Sequence, residues 1–364
     1  MRVVYIGPVA PLSGGISHCG SGLVRGLRRT GHEVEVVSWA AQWPAKLYRS
    51  PARDATVAPL PGAKFTMKWW SPRSWWRAGR AARGADLLIL PWVTPLQAPS
   101  YRTIMAAARV PTLIVVHNPR PHEPRPGDMA MTRSVLRRAD ALLTHSEAAL
   151  RTVREVVPGK PAAFAPHPPN IAVGAHPLPP HPPIKALFFG IVRPYKGLDV
   201  AFDAIAALRE RDLPIELTVA GEFWDPIDGW RERIADAGLE AAVELRPGYV
   251  PDHAVEELFA THHIVVASYR SATQSGVVPL AIAAGRPTVA TPVGALTEQV
   301  IDGETGIVAA HADAASFAAA IERAVAEIDK LASGARAHAT TWDAVARTAV
   351  ALVRSVTGSA PRAR

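Results

Sequence analysis

The stretch PHPPNIAVGAHPLPPHPPIKALFFG, Pro166 to Gly190, divides the chain. Its first part is dense in proline. Proline fixes φ and offers no backbone N–H, so this part sustains neither a helix nor a central strand. Its last part, KALFFG, is an apolar run closed by glycine, which reads as a buried strand entering a loop. The same texture fills both flanks. Upstream lie RVVYI, EVEVVSW, DLLILPW, TLIVVHN, ALLTHS and AAFAP, and downstream IELTVAG, AVELR, HIVVAS, PTVAT and GIVAA, with helical patterns between them. Strands alternating with helices give a parallel sheet covered on both faces.

Helical spacing of Ile16, Leu23, Val24 and Leu27 predicts a helix stopped by Gly31. Further helices are predicted from Leu198 to Arg211, Asp252 to Ala260, and from Asp313. The expected fold is α/β with two Rossmann-like domains. The first spans 1–167, a proline-rich linker spans 168–183, and the second spans 184–344. A last amphipathic helix, about 345–358, is expected to pack back on the first domain, and the tail TGSAPRAR to be disordered. Ligands of open parallel sheets sit at the carboxyl ends of the strands. The site is therefore expected in the inter-domain cleft, lined by strand-to-helix loops.

Composition narrows the partners. The chain has 364 residues, 48% of them apolar, which is enough for two buried cores on a prior of roughly 150 residues per domain. The single cysteine, Cys19, excludes an internal disulfide framework and points to a reducing cytoplasm. MRVVYIGPVAPLSGG does not read as a signal peptide, and no run reaches the ~20 apolar residues of a membrane span. A net charge of +8 favours an anionic partner: a phosphorylated small molecule or an acidic lipid surface. No nucleic-acid-binding signature is present, so nucleic acid is not expected.

Four loops carry chemistry. In GPVAPLSGGIS, Gly14 and Gly15 precede a helix start whose bare N–H groups favour an anion. This loop lacks the dinucleotide G-x-G-x-x-G spacing, and a plain tight turn reads equally well. In FGIVRPYKGLDV, Gly190 ends a strand and Arg193 and Lys196 share one short loop. An arginine fork and a lysine point charge suit a diphosphate, although a solvated basic turn has the same composition. AGEFWDP repeats the pattern with Gly221 and Glu222. In ATQSGVVPLAIAAGRPTVAT, Thr273, Gln274, Ser275 and Gly276 precede a buried helix, a neutral mouth suited to a negative ligand.

These motifs, with HN at a strand end, GYVPD and GRPTVATPVGALTEQVIDGETG, occur in an order that resembles the retaining GT-B glycosyltransferases of glycosyltransferase family 4. The resemblance spans about Met1 to Val308 and the Trp342 helix. It implies two Rossmann-like domains and a nucleotide-sugar donor, such as a UDP- or GDP-sugar, as substrate; no cofactor is expected, and no metal either, since no Asp-x-Asp pair lies in a cleft loop and Arg193 and Lys196 can neutralise the diphosphate. It implies that Arg193 and Lys196 bind the donor diphosphate with help from Gly14, Gly15 and Gly190. Gly221 and Glu222 would line the nucleoside side, His117 would sit beside the sugar, and Glu298 matches an acidic position of the donor site. Ser17 and His18 are expected on the acceptor side, and so is the polar pair His122 and Glu123 of HNPRPHE, which reads equally well as satisfied structural residues. The paired glutamates of most members would fall at Ala272 and Leu280, so the chain resembles a variant branch with TQSG, in which Thr273, Gln274 and the Ser275–Gly276 backbone replace them. A catalytically silent subunit of the same fold and a sugar-nucleotide epimerase stay open as alternatives.

KFTMKWWSPRSWWRAGRAARGAD interleaves Trp69, Trp70, Trp75 and Trp76 with Arg73, Arg77, Arg80 and Arg83. That pattern suits a peripheral contact with an anionic membrane, such as the inner face of the plasma membrane, and a lipid-linked acceptor. Tryptophans packed beneath the first domain, with the arginines in water, would read the same way.

Overall fold

The computed structural model describes residues 1–12, 15–43, 57–120, 125–169, 171, 173–272 and 275–358. The tail from residue 359 onward lies outside them. The chain forms two units, Met1–His167 with Thr341–Arg364, and Pro168–Thr340.

The first unit runs β1 (Arg2–Ile6), α1 (Gly15–Arg29), β2 (Glu33–Ala41), β3 (Ala63–Lys68), α2 (Pro72–Ala81), β4 (Leu87–Trp92), α3 (Ala98–Ala108), β5 (Thr112–Val116), α4 (Asp128–Leu136), β6 (Ala141–Thr144), α5 (Glu147–Val156) and β7 (Ala162–Phe164). Its sheet is parallel in the order β3-β2-β1-β4-β5-β6-β7. Strand side chains alternate between faces. Val4, Ile6, Leu88, Leu90 and Ile114 enter one core, while Val3, Tyr5, Leu87, Ile89 and Leu113 enter the core on the opposite face. Each such side chain contributes about 1.5–3 kcal/mol when fully buried, which is why these strands are apolar on both sides.

The second unit runs β8 (Ile184–Phe189), α6 (Leu198–Arg209), β9 (Ile215–Gly221), α7 (Ile227–Asp236), β10 (Val243–Pro247), α8 (Asp252–Ala260), β11 (Ile264–Ala267), α9 (Val277–Ala283), β12 (Thr288–Ala290), α10 (Leu296–Gln299), β13 (Gly306–Val308), α11 (Ala314–Ala326) and α12 (Ile328–Ala337). Its parallel sheet has the order β10-β9-β8-β11-β12-β13. The strand order reverses between β8 and β11, and ligands of such sheets bind outside the carboxyl ends at that switch point.

The final helix, α13 (Trp342–Thr357), belongs to the first unit and packs on α1. Close packing needs glycine there, because a Cβ on Gly22 would collide with the Trp342 ring. The proline-rich stretch lies on the second unit rather than hanging between elements. Ile171 and Val173 pack against the core under α8 and α9. Prolines present carbonyls without N–H groups, and one buried guanidinium meets them. Arg286 donates to His176 O at 3.0 Å and Pro177 O at 2.8 Å, and also to Phe259 O and Ala260 O.

Candidate active site

The loops after β8 and β11 flank the switch point of the second sheet. After β8 the chain turns at Gly190, with φ of +96°, passes Arg193, makes a single 3-10 turn over Pro194–Lys196, and enters α6 through Gly197. Gly197 has φ of +61°, and a Cβ there would collide with the Ser268 carbonyl. The loop is laced to its neighbour: Val192 N–H donates to Glu222 O at 2.7 Å, and Trp224 N–H returns to Val192 O at 3.2 Å. Gly221 lets β9 end against Gly190, whose carbonyl a Cβ would strike. The Glu222 residue itself is exposed.

This lacing aims two cations into one place. Lys196 is only 7% exposed, with Nζ 5.4 Å from the Tyr269 ring centroid. Burial, and then the neighbouring Arg193, push its pKa down to about 8. The Arg193 guanidinium lies on the exposed Trp224 ring, and its Nε is buried without a hydrogen-bond partner. The acid in the first turn of α6, Asp199, is taken by Arg270. Among the described residues no carboxylate pairs with Arg193 or Lys196. A buried cation without a counter-charge is unfavourable, so an anion with several oxygens is the ligand this loop best compensates.

The loop after β11 is fixed from inside. Ser268 Oγ donates to Gly197 O at 2.7 Å, tying the two loops together. Gln299 of α10 clamps Ser275 both ways: Ser275 N–H donates to Gln299 Oε1 at 3.0 Å and Gln299 Nε2 donates to Ser275 O at 2.9 Å. Ser275 Oγ accepts from Val277 N–H at 3.2 Å. The expected helix mouth is thus partly filled by the chain's own groups, because the Ser275 and Val277 amides already have partners. Gly276 is exposed, with open space where a Cβ would stand. Thr273 and Gln274 lie outside the described residues. Leu280 is buried in the core and Ala272 is half-buried, and neither carries a carboxylate. Glu298 is exposed beside Gln299 on α10.

In the first unit, Gly15 is exposed at the start of α1, Ser17 is buried and His18 is exposed. Gly14, His122 and Glu123 lie outside the described residues. His117 follows β5, half-buried, its N–H on Trp92 O at 3.1 Å. The next two strands also lead into histidines. Ring centroids run His117 to His145 at 5.7 Å, His145 to His167 at 5.1 Å, and His167 to Trp342 at 5.4 Å. Burial, then the adjacent histidines, push His117 down to about 3, and burial and His167 push His145 to about 4. Both imidazoles are neutral at pH 7, able to hydrogen-bond but poor proton acceptors. Cys19 Sγ lies 2.7 Å from His167 Nε2, and burial lifts its thiol to about 12.

Sequence reasoning did not find Trp224, Gln299, His145 or His167. Gln299 directly follows Glu298, yet only the fold reveals that its amide, rather than the neighbouring carboxylate, holds Ser275.

Comparison with known proteins agrees with this architecture. Residues 183–327 match the family model described as "Glycosyl transferases group 1", and residues 14–170 match that of the "Glycosyl transferase 4-like domain". The D-inositol 3-phosphate glycosyltransferase of Frankia alni is 32% identical over 174 residues, which is 44% of this chain and 42% of that protein. The chain thus spans less than half the length of this curated relative. Among solved structures, sucrose-phosphate synthase from Thermosynechococcus elongatus superposes with a TM-score of 0.66 at 16% identity, covering 98% of this chain and 100% of that one. HepE of Anabaena in complex with UDP gives 0.63 at 16% identity, covering 98% and 99%.

Proposed function

We propose that this chain, which belongs to the group 1 glycosyl transferases and has their GT-B fold of two Rossmann-like domains, moves a hexose from a nucleotide-sugar donor to an acceptor hydroxyl with retention at the anomeric carbon. The observation that carries the reading is the Arg193–Lys196 pair. Two cations are held at the switch point of the second sheet, one buried and one with a buried unpartnered Nε, and no carboxylate pairs with them among the described residues. A nucleoside diphosphate supplies the missing charge. The UDP bound to the Anabaena protein belongs to the same ligand class.

The chemistry follows from the charges. The acceptor oxygen bonds to the anomeric carbon on the face from which the diphosphate departs. The bond from anomeric carbon to diphosphate oxygen breaks, and that oxygen takes the acceptor's proton. Charge accumulates on the diphosphate, so fixed cations aimed at it lower the barrier. Lys196 and Arg193 are sufficient for this role without a divalent ion. Neutral His117 is a hydrogen-bonding group for the sugar rather than a base. The acceptor is a lipid-linked hydroxyl met at an anionic membrane, a reading supported by the exposed Trp69, Trp70 and Trp76 around α2.

Thermal unfolding with UDP, GDP or ADP tests the donor site. A nucleotide at 100 times its Kd adds about 2.7 kcal/mol of stability, and Lys196→Ala removes that gain. Equal shifts in wild type and Lys196→Ala reject the assignment. NMR of the product anomer tests retention. Full activity in EDTA is expected, and a rate restored only by Mg²⁺ or Mn²⁺ rejects metal independence.

A further inference from the structure

β3 is the edge strand of the first sheet. Its alternation puts Lys64, Thr66 and Lys68 on the exposed face, with Met67 buried and Phe65 half-buried beneath. The chain then turns at once into α2, where Ser71 Oγ caps the helix by accepting from Ser74 N–H. At about 100° per residue, Arg73, Ser74, Arg77, Ala78 and Ala81 share one arc of this helix, the arc that faces β3. Gly79 is buried away from that arc. Strand and helix therefore present two basic pairs, Lys64 with Lys68 and Arg73 with Arg77, to one groove of about 440 Å³.

The groove lining contains four cations, Lys64, Lys68, Arg73 and Arg77, and one carboxylate, Glu35. Glu35 is already engaged by Lys64 at 2.9 Å and Arg2 at 3.5 Å. Among the described residues, Lys68, Arg73 and Arg77 meet no carboxylate. Trp69 and Trp70, between the lining residues Lys68 and Ser71, are 42% and 55% exposed, and Trp76 on α2 is 42% exposed, while Trp75 packs on the core. Indoles with an apolar body and a polar N–H accumulate at the bilayer–water interface. We infer that the β3–α2 groove receives the phosphate headgroup of an anionic phospholipid while the exposed tryptophans of the same segment enter the interface. The inference rests on the membrane-surface reading given above and adds the place where the headgroup is held.

The test is sedimentation of the full chain with vesicles of phosphatidylcholine alone and of phosphatidylcholine mixed with phosphatidylglycerol. Binding is expected to the mixed vesicles and to weaken with salt. Each cation at such a surface contributes roughly fivefold, so Arg73→Ala/Arg77→Ala lowers binding about thirtyfold. Trp70→Ala/Trp76→Ala lowers it as well. These side chains are exposed, and unchanged thermal unfolding checks that the variants fold. Mixed-vesicle binding that survives Arg73→Ala/Arg77→Ala overturns the groove and leaves the membrane reading standing. No binding to either vesicle overturns both, and equal binding to both vesicle types rejects a headgroup site. UDP-induced stabilisation, measured on the same samples, reports separately on the second unit.

Discussion

The guanidinium carbon of Arg193 lies 3.3 Å from the ring centroid of Trp224. The stack holds a flexible side chain flat beside Lys196, on a loop whose backbone is already tied to the Trp224 strand end. Such contacts contribute about 0.5–2 kcal/mol. Trp224→Ala is therefore expected to raise the donor KM by about twofold to thirtyfold, with a smaller change in kcat. Trp224→Phe should recover most of the loss. Steady-state kinetics over donor concentration measures both, and an unchanged KM in Trp224→Ala removes Trp224 from the site.

Lys196 couples activity to stability. Its pKa, held at about 8 against an ordinary 10.5, lies lower in the folded state than in the unfolded chain. Between those values the unfolded chain binds more protons, so stability rises with pH through that window. Below pH 8 the buried charge is a standing penalty. Lys196→Met should raise stability near pH 7 by about 1–3 kcal/mol while lowering kcat by ~10²–10³. Diphosphate affinity of the wild type should fall as pH rises above 8, where the free lysine loses its charge. Urea unfolding and UDP titration across pH 7 to about 10 check the two directions.

The histidine row acts in the same sense in an acidic window. His117 and His145 are depressed to about 3 and about 4 in the fold from an ordinary 6.5. The folded state therefore binds fewer protons below pH 6.5, and stability is complete above that pH and lost as pH falls toward 4. A loss of roughly 1–3 kcal/mol is expected between neutral pH and about pH 5. His145→Gln should flatten the profile, and an identical pH dependence in that variant excludes the row as its source. Cys19, lifted to about 12, should resist alkylation until the chain unfolds.

The sequence announced the two parallel sheets because buried strands are apolar on both faces, as in DLLILPW and TLIVVHN. It did not announce β3, whose AKFTMK alternates lysine with apolar residues as an edge strand does. Arg193 and Lys196 were legible as a pair because they share one short loop. Their isolation from carboxylates was not, since it depends on Arg270 taking Asp199 across the fold. The mouth of α9 read as free N–H groups, but Gln299 reaches Ser275 from 24 residues away. Side chains that satisfy a backbone at long range leave no local pattern.

Arg286 supplies the last prediction. It is fully buried, and burial with Arg336 nearby lowers its pKa to about 10, still far above neutrality. Among the described residues its charge is offset by carbonyl dipoles: Phe259 and Ala260 at the end of α8, His176 and Pro177 in the proline-rich stretch. Removing the guanidinium takes the donor from His176 O, Pro177 O and Ala260 O in a place where prolines supply none, while Phe259 O keeps the His262 N–H at 3.3 Å, and each buried unsatisfied group costs about 1–3 kcal/mol. Arg286→Leu should therefore destabilise the second unit by at least about 3 kcal/mol. Arg286→Lys should recover little, because one ammonium cannot reach carbonyls on two separate segments with the arginine's planar fork. The first unit's core does not include Arg286 or its acceptors, so its unfolding, followed by the fluorescence of buried Trp39 and Trp92, should shift less than that of the second unit. A loss below about 1 kcal/mol in Arg286→Leu would mean that water replaces the guanidinium and that the stretch is held by Ile171 and Val173 instead.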